Sequence, residues 1–100
     1  MSIDLKNIYN EFNLLGKEKK DLEEMVNKGM KDLSKKWDKA GVSESNPIEG
    51  YYLIEVGKFP NYKYLRIRIN LALKEKMVTA IVGATKSTKQ EYQERKLLNQ

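Results

Sequence analysis

The residues best suited to chemistry lie between positions 62 and 73, which read YKYLRIRINLAL. Polar and apolar residues alternate there, and in a β-strand alternate side chains share one face. An arginine guanidinium binds phosphate oxygens through paired hydrogen bonds, and a tyrosine ring can stack on a nucleic-acid base. The apolar row would face a core, and the opposite row would contain Tyr62, Tyr64, Arg66, Arg68 and Asn70.

On such a strand Arg66 and Arg68 would lie about 7 Å apart, which is close to the distance between neighbouring phosphates on a nucleic-acid strand. Three of the basic residues that follow in the sequence are further candidates for phosphate binding. Lys86 and Lys89 lie near the predicted start of the last helix, where free N–H groups favour a phosphate, and Arg95 lies within that helix. The alternative is structural, because tyrosine and arginine also stabilise an exposed strand through cross-strand pairs, and lysines often form a solvated cap.

The composition excludes several classes of chemistry. The chain has no cysteine and no histidine, which excludes disulfides, thiolate and imidazole nucleophiles, and zinc sites built from those residues. It has neither a phosphate-loop glycine pattern nor a serine nucleophile motif. Acidic pairs such as Glu23 with Glu24, or Asp32 with Asp38, are explained as partners of lysines on the same helix. We therefore predict no catalytic residue, no metal ligand and no cofactor, and we favour a protein without enzymatic activity.

Positive charge is concentrated in the second half of the chain. The 100 residues carry a net charge of +5. Residues 1–49 contain nine lysines and ten acidic residues, which gives −1, whereas residues 50–100 contain seven lysines, three arginines and four glutamates, which gives +6. This distribution favours a polyanionic partner, although a lysine-rich composition alone gives the same sign. The length fits a single domain over residues 1–100.

Residues 2–40 have the periodicity of helices. A first helix, capped by Ser2, would bury Leu5, Ile8, Tyr9, Phe12 and Leu15. After Gly16, a second helix would begin near Asp21, end near Gly41 and bury Leu22, Met25, Val26, Met30, Leu33 and Trp37. This pattern predicts a helical hairpin. Because heptad spacing continues through both segments, the alternative is one long helix that forms a coiled-coil homodimer through the N-terminal helices.

Residues 41–49, which read GVSESNPIE, are typical of a linker. In residues 50–100 the period changes to two, which predicts strands over 51–56, 62–73 and 77–84. A helix follows from Lys89 to about Leu98, capped by Ser87 or Thr88, with Tyr92 and either Leu97 or Leu98 as core contacts. The predicted fold class is α+β, with an N-terminal helical hairpin or one long helix, a three-stranded antiparallel sheet and a short C-terminal helix. We expect the helices to cover one sheet face and the polar row to face solvent.

The order of helix, three strands and helix, with TKSTKQEYQERKLL after the third strand, resembles a double-stranded-RNA-binding domain, and the resemblance covers about residues 50–98. In that family a lysine cluster at the start of the last helix straddles phosphates across a groove, and the resemblance implies this role for Lys86 and Lys89. The order of helical hairpin, three strands and basic tail is also similar to RelE-type ribonuclease toxins, which cut messenger RNA with Lys, Arg and Tyr side chains. That similarity implies Arg66, Arg68 and Tyr92 as the counterparts.

Three hypotheses follow from these features. We favour a small nucleic-acid-binding module, for RNA rather than DNA, that holds phosphates by charge and bases by stacking. The first alternative is a phage or mobile-element protein that inhibits or adapts a partner protein by binding its acidic surface. The second is a metal-independent ribonuclease of the toxin type. No leader and no membrane-spanning stretch is recognised, so we expect a cytoplasmic location and no membrane partner.

Overall fold

The computed structural model describes residues 4–40 and 47–98. The elements in that part of the chain are, in order, α1 (Lys6–Phe12), α2 (Lys17–Ala40), β1 (Ile48–Phe59), β2 (Tyr62–Lys74), β3 (Met77–Ser87) and α3 (Lys89–Leu98). The strands form an antiparallel sheet in the order β1-β2-β3, and the predicted α+β fold class is confirmed. The predicted cap Ser2 and the predicted helix end Gly41 lie outside the described residues.

Two residues in the left-handed region separate α1 from α2. Asn13 and Gly16 both have a φ of 53°, so the chain turns where one long helix would have continued. As a result Leu14 is buried with 1% of its surface exposed, whereas Leu15 is 70% exposed. The prediction that Leu15 belongs to the core is therefore wrong, because the helical periodicity stops before it.

The second helix begins at Lys17, four residues earlier than predicted. The carbonyl of Gly16 already accepts the N–H of Lys20 at 3.3 Å, so helical hydrogen bonding starts at the turn itself. Lys58 near the end of β1 fixes this turn to the sheet. Its ammonium donates to a backbone carbonyl in the turn at 2.5 Å and to the carboxylate of Glu18 at 2.7 Å.

The core lies between α2 and one face of the sheet, which we call the helical face. This face carries alternate residues of β2, as expected from the strand geometry, and they are all buried: Leu65, Ile67, Ile69 and Leu71. From α2, Leu22, Val26 and Leu33 belong to the same buried cluster. The apolar stripe that would have formed a coiled-coil seam therefore packs against the sheet of its own chain.

Gly29 lies where α2 packs closely against the sheet. A Cβ atom at Gly29 would lie 2.6 Å from Cδ1 of Ile69 and 2.8 Å from Cε2 of Tyr52. The hydroxyl of Tyr52 donates to the Gly29 carbonyl at 3.4 Å. In the sequence this glycine interrupts an apolar stripe, and in the structure the missing side chain makes room for the ring.

The strands are longer than the sequence predicted. β1 begins at Ile48, within the predicted linker, because Ile48 and Glu49 pair with Leu71 and Asn70 of the long strand β2. β3 continues to Ser87, which pairs with Tyr64. Residues 41–46 of the predicted linker lie outside the described residues. Among the described helices, none combines the length and the apolar character needed to cross a membrane.

The second sheet face, which we call the arginine face, carries Arg66, Arg68 and Asn70 of β2. Contrary to expectation it is not fully open, because α3 lies against it and contacts β1 and β2. The hydroxyl of Tyr92 donates to the carbonyl of Tyr51 at 3.3 Å. This helix contains no fully buried residue. Its terminal leucines, predicted as core contacts, are exposed, and only Tyr92 is half-buried: Leu97 is 69% and Leu98 is 78% exposed.

Candidate functional site

A cleft of about 300 Å³ lies between α3 and the arginine face, and all three arginines of the sequence line it. Arg66 and Arg68 come from β2, and Arg95 comes from the second half of α3. We call this site the arginine cleft. It is completed by residues of the two outer strands: Tyr51, Gly83, Ala84 and Thr85.

The register of the sheet determines what surrounds each arginine. Arg68 lies between Tyr51 on β1 and Gly83 on β3, while Thr85 lies beside Arg66. Because Gly83 has no side chain, the floor of the cleft is open next to Arg68. A Cβ atom built on Gly83 would have no heavy atom within 4 Å. The cleft can therefore receive a group from solvent without displacing the sheet.

Arg68 forms an ion pair with Glu49 across the sheet. The hydrogen bond from Arg68 lowers the pKa of Glu49 below its ordinary value, and hydrogen bonds from Asn70, at 2.9 Å, and Tyr51 act in the same direction, while partial burial opposes them. In return, the hydrogen bond to Glu49 raises the pKa of Arg68. One of the three positive charges is thus partly neutralised and held in place by a carboxylate.

Arg66 differs from Arg68 in this respect. Among residues 4–40 and 47–98, no carboxylate forms an ion pair with Arg66. Its side chain is half-buried, with Leu53 and Thr85 as its cross-strand neighbours. A half-buried guanidinium beside an open cleft keeps its five N–H donors available for an anion.

The predicted polar row of β2 divides between two places. Tyr62 and Tyr64 lie near the β1–β2 hairpin, where a second cleft of about 390 Å³ also contains Phe59 and Lys89. Asn70 lies at the other end of the row and is engaged by Glu49. The structure therefore brings Arg66, Arg68 and Arg95 together and leaves the two tyrosines with Lys89.

Thr88 caps α3. Its Oγ1 accepts the N–H of Glu91 at 3.1 Å, which confirms one of the two predicted caps. Ser87 does not take this role, since its hydroxyl donates to the carbonyl of Thr88 at 2.7 Å. Lys89 follows directly and is exposed at the start of the helix.

Lys86 lies on the helical face, away from the arginine cleft. It pairs with Leu65 in the register of β2 and β3, and its ammonium lies 4.6 Å from the centre of the Phe59 ring. That ring in turn contacts Phe12 of α1, with 6.0 Å between the ring centres. Lys89 lines the second cleft together with the same Phe59 ring, so both lysines lie near that ring and neither lines the arginine cleft.

Sequence reasoning did not identify Tyr51, Gly83, Thr85 or Glu49 as part of a site. The signal that could have found them is the register of the hairpins, which places each opposite or beside an arginine. Tyr92 was matched to a catalytic role by resemblance only. In the structure its hydroxyl is bonded to a backbone carbonyl and Lys96 lies 5.7 Å from its ring centre, so it holds α3 on the sheet.

The arrangement is suited to binding a small anionic group. Guanidinium groups from two sides of a narrow cleft can bind different oxygens of one phosphate. The Tyr51 ring offers an aromatic surface and Thr85 offers a hydroxyl at the same place. In the described part of the chain no cluster of acidic side chains is arranged to hold a metal ion. No protein-family model, curated protein or solved structure matches this chain.

Proposed function

We propose that this protein binds single-stranded nucleic acid, RNA in preference to DNA, and that the arginine cleft holds a backbone phosphate. The observation that carries the proposal is the convergence of every arginine in the chain on one cleft from two separate elements. A charge-rich surface alone would distribute them, since exposed basic residues have no reason to converge. The net charge of +6 over residues 50–100 adds attraction at longer range.

Single-stranded nucleic acid fits the shape of the site better than a duplex. The helix α3 covers part of the sheet, so the cleft is narrow and open on one side, and it can admit one phosphate with its sugar. The half-buried ring of Tyr51 provides a stacking surface for one base next to that phosphate. The Thr85 hydroxyl supports RNA, because it can pair with the 2′-hydroxyl that distinguishes RNA from DNA.

Cleavage of RNA has less support from the geometry. The hydroxyl of Tyr92 is bonded to a backbone carbonyl and does not line the arginine cleft. The three guanidinium groups in the cleft bind and orient phosphate, and the Tyr51 hydroxyl is hydrogen-bonded to the carboxylate of Glu49, which is itself paired with Arg68. The resemblances to double-stranded-RNA-binding domains and to RelE-type toxins, and the cytoplasmic location, stay predictions.

The test is fluorescence anisotropy of labelled single-stranded RNA, single-stranded DNA and double-stranded RNA at several salt concentrations. Because each phosphate contact contributes about −0.7 to the slope of log affinity against log salt on single strands, the slope counts contacts. We expect the tightest binding to single-stranded RNA. The variant Arg66→Gln with Arg95→Gln should lower that affinity at least about tenfold and flatten the slope by about one to two.

Lys74→Gln with Lys76→Gln is the matched control, since it also removes two positive charges, at the exposed turn between β2 and β3 and outside the cleft. It should change the affinity no more than about twofold to threefold. Equal losses in the cleft variant and in the control would mean that charge alone, and not the cleft, is responsible. Binding that vanishes for all three nucleic acids near physiological salt would overturn the proposal in favour of an acidic protein partner.

A further inference from the structure

β3 forms one edge of the sheet. It pairs with β2 on one side, and in the described part of the chain no strand pairs with it on the other. Three large apolar side chains on this strand are exposed, at 69% for Met77, 42% for Val78 and 56% for Ile81. By alternation Ile81 lies on the arginine face and Val78 on the helical face. This edge strand therefore exposes apolar side chains on both faces of the sheet.

The two edges of the sheet differ in their protection against pairing. Natural edge strands are usually guarded by charged side chains, bulges or prolines. β1 carries Glu49, Glu55 and Lys58, and its register shifts between Glu55 and Phe59. In β3, residues 77–85 (MVTAIVGAT) contain no charged residue and no proline, and their pairing with β2 is regular throughout.

We propose that β3 pairs antiparallel with β3 of a second copy of this chain, which gives a continuous six-stranded sheet. An antiparallel edge is complementary to itself about a two-fold axis, so no other sequence is needed. Each chain has a net charge of +5, and the uncharged segment 77–85 is a surface where two such chains can meet without repulsion. After pairing, only the two guarded β1 edges are left, so the assembly ends at two chains.

The middle of the uncharged segment fixes the register that we expect. Ile81 is the central residue of 77–85 and would lie opposite its own copy. The two-fold axis would be perpendicular to the sheet, because only that operation pairs identical edges in antiparallel orientation within one sheet. Both arginine clefts would then open on the same side, with the two β2 strands about 14 Å apart at a strand spacing of roughly 4.8 Å.

This dimer differs from the coiled coil that the sequence left open. The stripe of α2 that would form a coiled coil is buried against the sheet, with Leu22 and Leu33 fully inaccessible. Met77, Val78 and Ile81, in contrast, are already exposed, so β3 can pair with a second chain without taking these side chains out of the core. The edge pairing is independent of nucleic acid, so its test contains none.

The test is the molar mass of the purified chain by sedimentation equilibrium from about 1 to about 500 µM, because the apparent mass of a reversible dimer depends on concentration. We expect the mass of two chains at the upper end. Ile81→Lys places two positive charges opposite each other and should return the mass to that of one chain. Leu15→Lys makes the same change at an equally exposed residue outside the sheet and should stay dimeric.

Cross-linking tests the register. The chain has no cysteine, so a single Ile81→Cys can form a disulfide only with its own copy, and it will do so efficiently only if the two Cα atoms lie within about 7 Å. We expect rapid dimer formation under mild oxidation for Ile81→Cys and slow formation for Leu15→Cys. A single-chain mass at every concentration would overturn the proposal. So would a dimer that survives Ile81→Lys, provided that the thermal melting of the variant shows that it is folded.

Discussion

Arg68 lies directly opposite Gly83 in the register of β2 and β3, with Tyr51 on its other side. Of the two neighbours only Gly83 lacks a side chain, and this leaves the space that Arg66 and Arg95 complete as a cleft. The site thus combines three guanidinium groups with open space beside Arg68, which a single Cβ atom would not fill. Because that space is open, the cleft can be filled without disturbing the backbone.

Filling the cleft should weaken the binding of RNA strongly and leave the fold intact. Gly83→Glu adds a carboxylate beside Arg68, where it competes for the guanidinium groups with the phosphate. We expect at least about a tenfold loss of affinity for single-stranded RNA and a change in melting temperature of only a few degrees, since exposed substitutions cost little stability. Gly83→Ala is the control and should bind nearly as well as the wild type. Anisotropy and thermal circular dichroism together measure both properties.

Removing the carboxylate that pairs with Arg68 should strengthen binding. In Glu49→Gln the guanidinium of Arg68 is released, so the salt slope for RNA should steepen by about 0.7, which corresponds to one more phosphate contact on a single strand. The cost in stability should be below about 1 kcal/mol, because Arg68 is largely exposed and solvent screens the pair. A weaker affinity for RNA in this variant would contradict the role given to Glu49.

The same carboxylate predicts a pH dependence. The folded-state pKa of Glu49 is lowered below its ordinary value, chiefly by the hydrogen bond from Arg68. The ionised carboxylate of Glu49 therefore stabilises the folded state above its unfolded-state pKa, and this stabilisation is lost as the pH falls through its folded-state pKa. We expect the wild type to lose more of its free energy of unfolding on acidification than Glu49→Gln, measured by urea denaturation at a series of acidic pH values. If the free energy of unfolding falls equally with pH in the two proteins, the stabilising role of ionised Glu49 is disproved.

Tyr9 links α1 to α2 and should ionise late. Its pKa is raised to about 12, chiefly by burial, and the hydrogen bond that its hydroxyl donates to the carboxylate of Glu23 at 2.8 Å acts in the same direction. Because the folded-state pKa is raised, this stabilisation is present below the unfolded-state pKa and is lost as the pH rises through about 12. An ultraviolet titration should show one fewer late-ionising tyrosine in Tyr9→Phe than in the wild type, and an unchanged number would contradict this assignment.

Adding a side chain at Gly29 should destabilise the core. Gly29→Val would force atoms into contact with Ile69 and the Tyr52 ring, both within 3 Å of the new Cβ. Overpacking of this kind costs about 1–3 kcal/mol. Asn27→Val, at an exposed position of the same helix, is the control and should change the free energy of unfolding by much less. Chemical denaturation of both variants measures the difference, and equal stabilities would show that the contact between α2 and the sheet is looser than described.

The elements that the sequence predicted well are those with local signals. The helix over 89–98 was placed correctly because its cap, Thr88, acts within one turn. The alternation of polar and apolar residues over 62–73 predicted the buried row of β2, because alternate side chains of any strand lie on opposite faces. The break between the first helices was expected, but the burial of Leu14 in place of Leu15 depends on the left-handed conformation of Asn13, which the helical period does not encode.

The candidate site was predicted only in part, because its residues come from separate elements that only the tertiary structure brings together. Arg66 and Arg68 were identified from spacing on one strand, but the placement of Arg95 beside them depends on which face of the sheet α3 covers. That choice is made by packing and by the bond from Tyr92 to a carbonyl of β1. Lys86 is predicted to lie in the loop before the last helix, but β3 continues to Ser87, so its side chain follows the alternation of the strand onto the helical face.

The most direct test of the account is a nuclear magnetic resonance titration that observes the arginine Nε–H signals while short single-stranded RNA is added. The chain has three arginines and all of them line the cleft, so each signal reports on the proposed site. We predict that the signals shift on binding, with Arg66, which has no carboxylate partner among the described residues, shifting most. Unchanged arginine signals, while backbone amides elsewhere shift on binding, would contradict the proposal that this cleft holds the phosphate.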